Sequence, residues 1–341
     1  MESRSGGKKD AETVGAQRLR WYIKNLASNL LMKAARTVQV LLLVLTGAML
    51  AHAAGYQRAA MVRFARIYLT PDTSSAVLGS IDRGRDMVIL ETTPGWVHAT
   101  AQLTQEKTVT GWLIDKGIIR AGQENGDRIL YGEAVDSEDQ ASRPHGRDNA
   151  AQDAMHLYYR VAEYFPNSPL AGEAMYRAAD IRWQIEKADV STRPSSHEKE
   201  AYLRTGMNED YMREVMKKFP GTKWADLAAF HLIENKLCGD WQGDPKCPAK
   251  EAEYYEKYVQ EHPQSPTAAE ALYDAAWRYS ALIEMYKTDE QPKKSEEAKA
   301  KAMAIAQKAS TQYPTSDWGA RAQRLLYLID QGVPTYGNEV E

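Results

Sequence analysis

Four five-residue segments in the second half of the chain share the pattern that decides the fold: an aromatic residue or histidine, then proline, then a Ser or Thr two positions later. They are Tyr164-Phe165-Pro166-Asn167-Ser168, Lys218-Phe219-Pro220-Gly221-Thr222, Glu261-His262-Pro263-Gln264-Ser265 and Gln312-Tyr313-Pro314-Thr315-Ser316. Small residues follow five and eight positions past each proline: Ala171, Ala225, Ala268 and Gly319, then Ala174, Ala228, Ala271 and Ala322. Recurrence at a long period indicates an internal repeat, and small residues recur where helices approach closely.

The residues around each proline predict a helical hairpin. Before the first proline, Tyr158, Val161 and Phe165 stand at helical spacing. Proline ends the first helix because the residue before it is pushed out of the α region. The hydroxyl two positions on is expected to cap the second helix. One hairpin cannot bury its own apolar face, so we expect the copies to stack into an all-α solenoid over residues 148–332, with a tail over 333–341.

These repeats resemble the tetratricopeptide-like units of exported bacterial envelope proteins, which include the BamD-type outer-membrane assembly lipoproteins and the periplasmic cell-division coordinator family. Successive prolines are 54, 43 and 51 residues apart, longer than the roughly 34 of a regular tetratricopeptide repeat. We expect insertions at residues 189–198, 238–247 and 288–295 to account for the excess. BamD-type proteins carry a lipid on a cysteine directly after the signal segment. No cysteine stands directly after the apolar segment of this sequence, which counts against a BamD-type assignment.

Residues 62–120 have a different composition, in which short runs rich in β-branched and aromatic residues are separated by turn residues. That pattern is typical of a small all-β unit. Strands are predicted at residues 62–69, 77–81, 87–91, 96–99 and 109–114.

This region resembles the bacterial SH3-like (SH3b) domain through Tyr68-Leu69 with Pro71-Asp72, residues 78–84, Gly95-Trp96-Val97-His98 and Thr110-Gly111-Trp112. An SH3-like β-barrel is therefore expected over residues 54–120. Such domains in exported proteins often bind peptidoglycan or peptide segments, and the resemblance implies a binding face at Trp96 and Trp112, with Tyr68 and His98 as further candidates. The alternative is that tryptophans in so small a barrel lie in its core.

Residues 121–147 lie between the two predicted domains. They contain Gly122, Gly126, Gly132, Pro144 and Gly146 and little apolar periodicity. This composition predicts a linker that is mobile in part.

The N-terminal part of the sequence predicts export. Residues 37–57 carry no formal charge, and Ala51-His52-Ala53 precedes Ala54 as the small-x-small pattern that a signal peptidase cuts. We expect residues 1–53 to be a signal peptide that is removed after Ala53, which places the mature protein in the periplasm. One alternative is an inner-membrane anchor facing the periplasm, because 21 uncharged residues could just span a bilayer.

The start of the signal segment has two interpretations. Met32-Lys33-Ala34-Ala35-Arg36 would by itself begin an ordinary signal peptide, so Met32 is a candidate initiator. Alternatively, residues 18–33 form a basic amphipathic helix at the inner membrane surface.

The chain has two cysteines, Cys238 and Cys247. In an exported protein, two such close cysteines are expected to form a disulfide. A zinc site is the weaker alternative because two thiols with no nearby histidine or third cysteine cannot complete a tetrahedron. A catalytic thiol is weaker still, because a paired sulfur is no nucleophile.

The helical region is rich in aromatic residues with polar tips. They are either inter-helix packing residues or the lining of a groove that receives a peptide or helix from a partner. The candidates for groove lining are Tyr158, Tyr159, Tyr254, Tyr255, Tyr258 and Trp277.

No motif for catalysis is found. His197-Glu198-Lys199-Glu200-Ala201 begins like a zinc protease motif but has alanine where the second histidine should stand. Phosphate-binding loops, nucleophile elbows and dinucleotide fingerprints are missing from the sequence, and we expect no metal and no cofactor. A net charge of -3 with 43 basic and 46 acidic residues gives no basic surface for nucleic acid.

The sequence therefore predicts a multidomain protein: a signal helix, a small all-β SH3-like barrel and an all-α tetratricopeptide-like solenoid. We expect a non-enzymatic cell-envelope scaffold, whose barrel binds peptidoglycan or a peptide and whose repeats bind an envelope protein partner. One alternative is a BamD-like component of outer-membrane protein assembly. Another, of a different class, is a cell-wall hydrolase or its accessory subunit.

Overall fold

A computed structural model describes residues 56–104 and 106–337. The predicted signal segment with its cleavage position at Ala53 and Ala54, and the last residues of the predicted tail, lie outside this range. In the part of the chain that is described, no helix is both long and apolar enough to cross a membrane.

The first described region is a seven-stranded sheet, and its strand pairs with a defined register are all antiparallel. The spatial order of the strands is β3-β2-β6-β5-β4-β1-β7. Their bounds are β1 Gln57–Met61, β2 Ala65–Tyr68, β3 Val77–Ile81, β4 Asp86–Thr93, β5 Trp96–Gln102, β6 Thr108–Ile114 and β7 Ile118–Arg120.

Alternation along the strands sends one set of side chains into the core of the β domain, because successive side chains of a strand point to opposite faces. Val97 and Ala99 of β5 and Leu113 of β6 are fully buried there with Ile67 and Ile81. The predicted strand over 77–81 has the predicted bounds. The predicted strand over 62–69 is shorter, beginning at Ala65.

Strands β1 and β7 were not predicted, and their packing explains why. Ala59, Met61 and Ile118 face the barrel core, while Ala60 and Ile119 belong to the core of the first helices. A strand buried on both faces loses the alternation of apolar and polar residues by which half-buried strands are recognised.

Nine α-helices follow in the described residues. The helices that flank each of the four prolines form hairpins, so the chain is a β domain followed by a helical repeat region. Their bounds are α1 Gly126–Ser142, α2 Ala150–Tyr164, α3 Ala171–Val190, α4 Asp210–Lys218, α5 Lys223–Glu234, α6 Lys246–Glu261, α7 Ala268–Thr288, α8 Pro292–Gln312 and α9 Asp317–Asp330.

The predicted capping hydroxyls behave in two ways. Thr222 and Ser316 accept hydrogen bonds from Ala225 N at 3.4 Å and Gly319 N at 3.0 Å, and so cap their helices as predicted. Ser168 and Ser265 accept from the backbone two residues on instead, at 3.2 Å each, and their helices begin three residues later. The capping prediction is wrong at these two positions, because the hydroxyl closes a local turn before the helix starts.

The predicted linker over 121–147 is wrong, because residues 126–142 form helix α1. Leu130 and Ala134 of α1 are buried against α2 and α3 in a core that includes Ala60 and Ile119 of the barrel. Small and polar residues occupy the rest of the buried face, so the helix shows little apolar periodicity in the sequence.

Polar contacts hold the β domain against the first helices. Arg58 of β1 pairs with Glu163 of α2 at 3.0 Å, and with Asp86 of its own domain at 2.7 Å. Arg160 Nε donates to the carbonyl of Gly84 at 3.0 Å, and the hydroxyl of Tyr164 donates to the carbonyl of Ala59 at 2.9 Å. The barrel and the start of the repeat region therefore share both an apolar core and a network of ion pairs.

His156 on α2 is expected to make the stability of the fold sensitive to acid. Burial, together with the nearby charges of Arg85 and Arg160, lowers the pKa of His156 from 6.5 to about 3. Below pH 6.5 the unfolded chain binds a proton that the folded chain excludes. The free energy of unfolding is therefore expected to fall with decreasing pH, by up to about 1.4 kcal/mol per pH unit between about pH 6 and pH 4.

Urea unfolding of the native protein and of His156→Gln across that pH range checks this prediction. The variant should show a shallower loss of stability with acid, because glutamine does not titrate. His145→Gln is the control, since His145 is exposed. An unchanged pH dependence in His156→Gln would contradict the prediction.

Candidate functional site

The four barrel residues predicted as binding candidates lie together on one face of the sheet. Tyr68 of β2 and His98 of β5 both pair with Trp112 of β6. The His98 ring stacks on the Trp112 ring with centroids 4.8 Å apart, and Tyr68 meets Trp96 edge to face at 5.7 Å. We call Tyr68, Trp96, His98 and Trp112 the aromatic platform.

The platform faces away from the core of the β domain. Trp96, His98 and Trp112 are half-buried, whereas Val97 and Leu113, adjacent to them in the chain, are fully buried on the other face. Tyr68 is 8% exposed and forms the floor of the platform. The alternative in which the tryptophans fill the core is therefore wrong, because the alternation of β5 and β6 sends smaller side chains inward.

Polar side chains flank the platform along the same strands. Thr100 and Thr110 share a hydrogen bond of 2.8 Å one pair beyond His98 and Trp112. On the other side of His98, Glu91 of β4 is its cross-strand neighbour. The platform thus offers flat aromatic faces next to hydroxyl and carboxylate groups, an arrangement suited to holding an extended ligand by stacking and hydrogen bonds.

Three of the helical candidates, Tyr158, Tyr255 and Tyr258, are buried in the repeat core, although Tyr258 also borders a cleft beside α6. Tyr158 donates to Glu138 at 2.6 Å, and Tyr258 donates to the carbonyl of Asp226 at 2.9 Å. Burial raises the pKa of all three hydroxyls. These tyrosines bring the helices together and bond internally, so they are packing residues.

Tyr159 and Trp277 are half-buried in side-chain stacks. The Tyr159 ring stacks on Tyr211 with centroids 5.0 Å apart, and burial, with the nearby Glu214 carboxylate, raises the pKa of Tyr159 to about 12. Trp277 packs against Trp241 at 5.2 Å. Tyr254 differs from the other five helical candidates because it lines two clefts beside α6.

The two cysteines form the predicted disulfide, with Cα atoms 6.0 Å apart. The loop that it closes contains Trp241, which is buried and donates from Nε1 to Glu251 at 3.1 Å. Glu251 also receives Arg278 Nε at 2.7 Å. The sequence does not single out Glu251 or Arg278, because each lies in a helix with several other charged side chains.

The titratable side chains in the described residues take part in separate structural contacts and do not form one cluster. His262 bonds Asp226 at 2.8 Å, and His231 lies 3.1 Å from the hydroxyl of Tyr176. Burial lowers the pKa of His231. No cluster of three or more His, Cys, Asp or Glu side chains capable of holding a metal occurs in the part of the chain that the structure describes.

Comparisons with known proteins give no family. No protein-family model matches the chain, and no curated protein matches it. Among solved structures, the DHF58 filament is similar at 16% identity, with 60% of this chain and 91% of that chain covered and a TM-score of 0.21. The de novo designed helical repeat protein DHR64 is similar at 15% identity, with 61% and 94% covered and a TM-score of 0.21. Superpositions this loose carry no argument about function.

Proposed function

We propose that this protein is a non-enzymatic scaffold of the bacterial cell envelope, exported to the periplasm, with an SH3-like barrel and tetratricopeptide-like repeats. The observation that carries the proposal is the aromatic platform. Three of its side chains are left half-exposed on the sheet face opposite the core. Aromatic residues concentrated on an accessible face are typical of binding surfaces.

The ligand that suits the platform is an extended peptide segment, free or within the cell wall. Aromatic-lined surfaces hold extended peptides by packing against their side chains while nearby polar groups bond the backbone. The rings of Trp96, His98 and Trp112 supply the packing surface, and Thr100, Thr110 and Glu91 supply polar groups beside it.

Two further observations support a scaffold outside the cytoplasm. The Cys238–Cys247 disulfide suits an oxidising compartment. The barrel is fixed to the first helices by the ion pair of Arg58 with Glu163 and by a shared core. A ligand on the platform would therefore be held at a set place relative to the first repeat helices, which is what a scaffold requires.

Replacing the platform tryptophans tests the proposal. Trp96→Ala with Trp112→Ala should lower retention of the purified protein on peptidoglycan sacculi, and its affinity for wall-derived peptides, by at least about tenfold, because buried aromatic anchors carry most of the energy at binding surfaces. Retention is measured by co-sedimentation and peptide affinity by calorimetry, which separates the two ligand sources.

Trp318→Ala is the matched control, because Trp318 is half-buried at the start of α9, outside the barrel. It should bind as the native protein does. Equal binding by the Trp96→Ala, Trp112→Ala double variant and the native protein would refute the platform as a binding site.

A further inference from the structure

A cleft of about 420 Å³ lies between helices α4 and α6, with α5 behind it. We call it the α6 cleft. Met216 of α4 and Leu232 and Ile233 of α5 form an apolar part of its wall. It opens between the second and third hairpins of the repeat region. A partner could therefore place an apolar side chain between two repeats.

The charged side chains around the α6 cleft are mainly basic. Arg213, Lys236, Lys250 and Lys257 line it, against two carboxylates, Glu253 and Glu261. Lys250 pairs with Glu253 at 2.9 Å, Lys257 with Glu261 at 3.7 Å and Arg213 with Glu209 outside the cleft lining. Lys236 has no carboxylate within salt-bridge distance among the described residues, so it is the unpaired cation of the cleft. The chain as a whole carries a net charge of -3. The cleft is thus locally positive on an acidic protein.

Tyr254 stands at the centre of this basic surface. The ammonium groups of Lys236 and Lys250 lie 5.7 Å and 5.5 Å from the centroid of its ring. A neighbouring cleft of about 680 Å³ shares Tyr254 and both lysines, and is lined further by Lys246 and by the carboxylates of Glu200 and Asp244. The two lysines are therefore held near one aromatic ring, where they meet any ligand that spans both clefts.

We propose that the α6 cleft binds a short acidic segment of a partner protein, in which carboxylates flank an apolar side chain. The apolar side chain packs against Met216, Leu232 and Ile233, and the carboxylates lie near Lys236 and Lys250. This inference rests on the proposed function, in which the repeats bind a protein partner, and adds the chemistry of that partner. Exposed ion pairs contribute little singly, so both the charges and the apolar contact are needed for affinity.

A labelled peptide of repeating Glu-Glu-Leu units tests this with the full chain by fluorescence anisotropy. Binding should weaken as salt is added, because the lysines are exposed. Lys236→Glu with Lys250→Glu should weaken it by at least about tenfold, the result of opposing charge at two contacts. Lys293→Glu with Lys308→Glu changes the net charge equally on exposed positions of α8 and should leave the affinity within about twofold.

Four results would overturn the proposal: no binding of the peptide, equal loss in both double variants, equal affinity for an all-glutamate peptide without leucine, or displacement of the peptide by vesicles of phosphatidylglycerol. The last would favour a membrane surface as the ligand. The platform variant Trp96→Ala, Trp112→Ala should bind the peptide as the native protein does. Loss of ligand binding at the platform and loss of peptide binding at the α6 cleft are thereby measured separately.

Discussion

Glu251→Ala is expected to lower the free energy of unfolding by about 3–5 kcal/mol, the range for removing one partner of a buried ion pair. Glu251 is 2% exposed and accepts from Arg278 Nε at 2.7 Å, Trp241 Nε1 at 3.1 Å and Cys238 N at 2.8 Å. Without the carboxylate, the buried Arg278 guanidinium loses its closest ion pair, and among the described residues Asp274, at 3.5 Å, is the carboxylate that remains within salt-bridge distance. Urea unfolding followed by tryptophan fluorescence measures the loss.

The same substitution should release the disulfide loop, because Trp241 loses its hydrogen-bond acceptor while the Cys238–Cys247 bond still closes the loop. Glu253→Ala is the control, since Glu253 is exposed on the same helix and its pair with Lys250 contributes at most about 1 kcal/mol. Glu251→Leu with Arg278→Met should recover part of the loss by removing both buried charges. A loss in Glu251→Ala no larger than in Glu253→Ala would contradict the prediction.

The repeat region shows what sequence patterns predict well. Proline followed two positions later by a hydroxyl marked four hairpins, because the chain must leave the helix before proline whatever its partners are. The hydroxyl's own role was less predictable: Thr222 caps its helix, but Ser265 bonds the hydroxyls of Tyr258 and Thr267 and closes a turn. Local backbone geometry is encoded locally, whereas the choice of the backbone N–H that bonds the hydroxyl depends on contacts with other side chains.

The β domain and the candidate site have features that the sequence patterns do not predict. The sequence makes Trp96 and Trp112 binding candidates, but their exposure depends on which face of β5 and β6 turns inward, and that follows from packing. Tyr254 and Tyr255 are adjacent in the sequence, yet one lines a cleft and the other is buried beside Arg278. Helix α1 was missed because its buried face is made of small and polar residues that pack only against specific neighbours.

Gly111→Ala is expected to destabilise the barrel and dismantle the aromatic platform. A Cβ atom at position 111 would lie 2.7 Å from the carbonyl oxygen of Tyr68 and 2.7 Å from Cγ2 of Ile67. Both contacts lie on β2, so β2 must move away from β6, and Tyr68 with it. Overpacking of this kind costs typically about 1–3 kcal/mol, and more where backbone must shift. Thermal unfolding measures the loss, and peptide affinity measures the platform.

The control for Gly111→Ala is a second glycine whose replacement is expected to change the free energy of unfolding in the opposite direction. The difference attributes the loss at position 111 to the close contacts of its Cβ atom. Gly132 lies in α1, is exposed, and a Cβ there meets nothing within 4 Å. Gly132→Ala should therefore raise the free energy of unfolding by about 0.5–1 kcal/mol, because alanine restricts the unfolded chain and favours the helix. Because Tyr68 pairs with Trp112 directly beside Gly111, Gly111→Ala should weaken platform binding even where the barrel stays folded. Full platform affinity in a folded Gly111→Ala variant would show that Tyr68 does not support the two tryptophans.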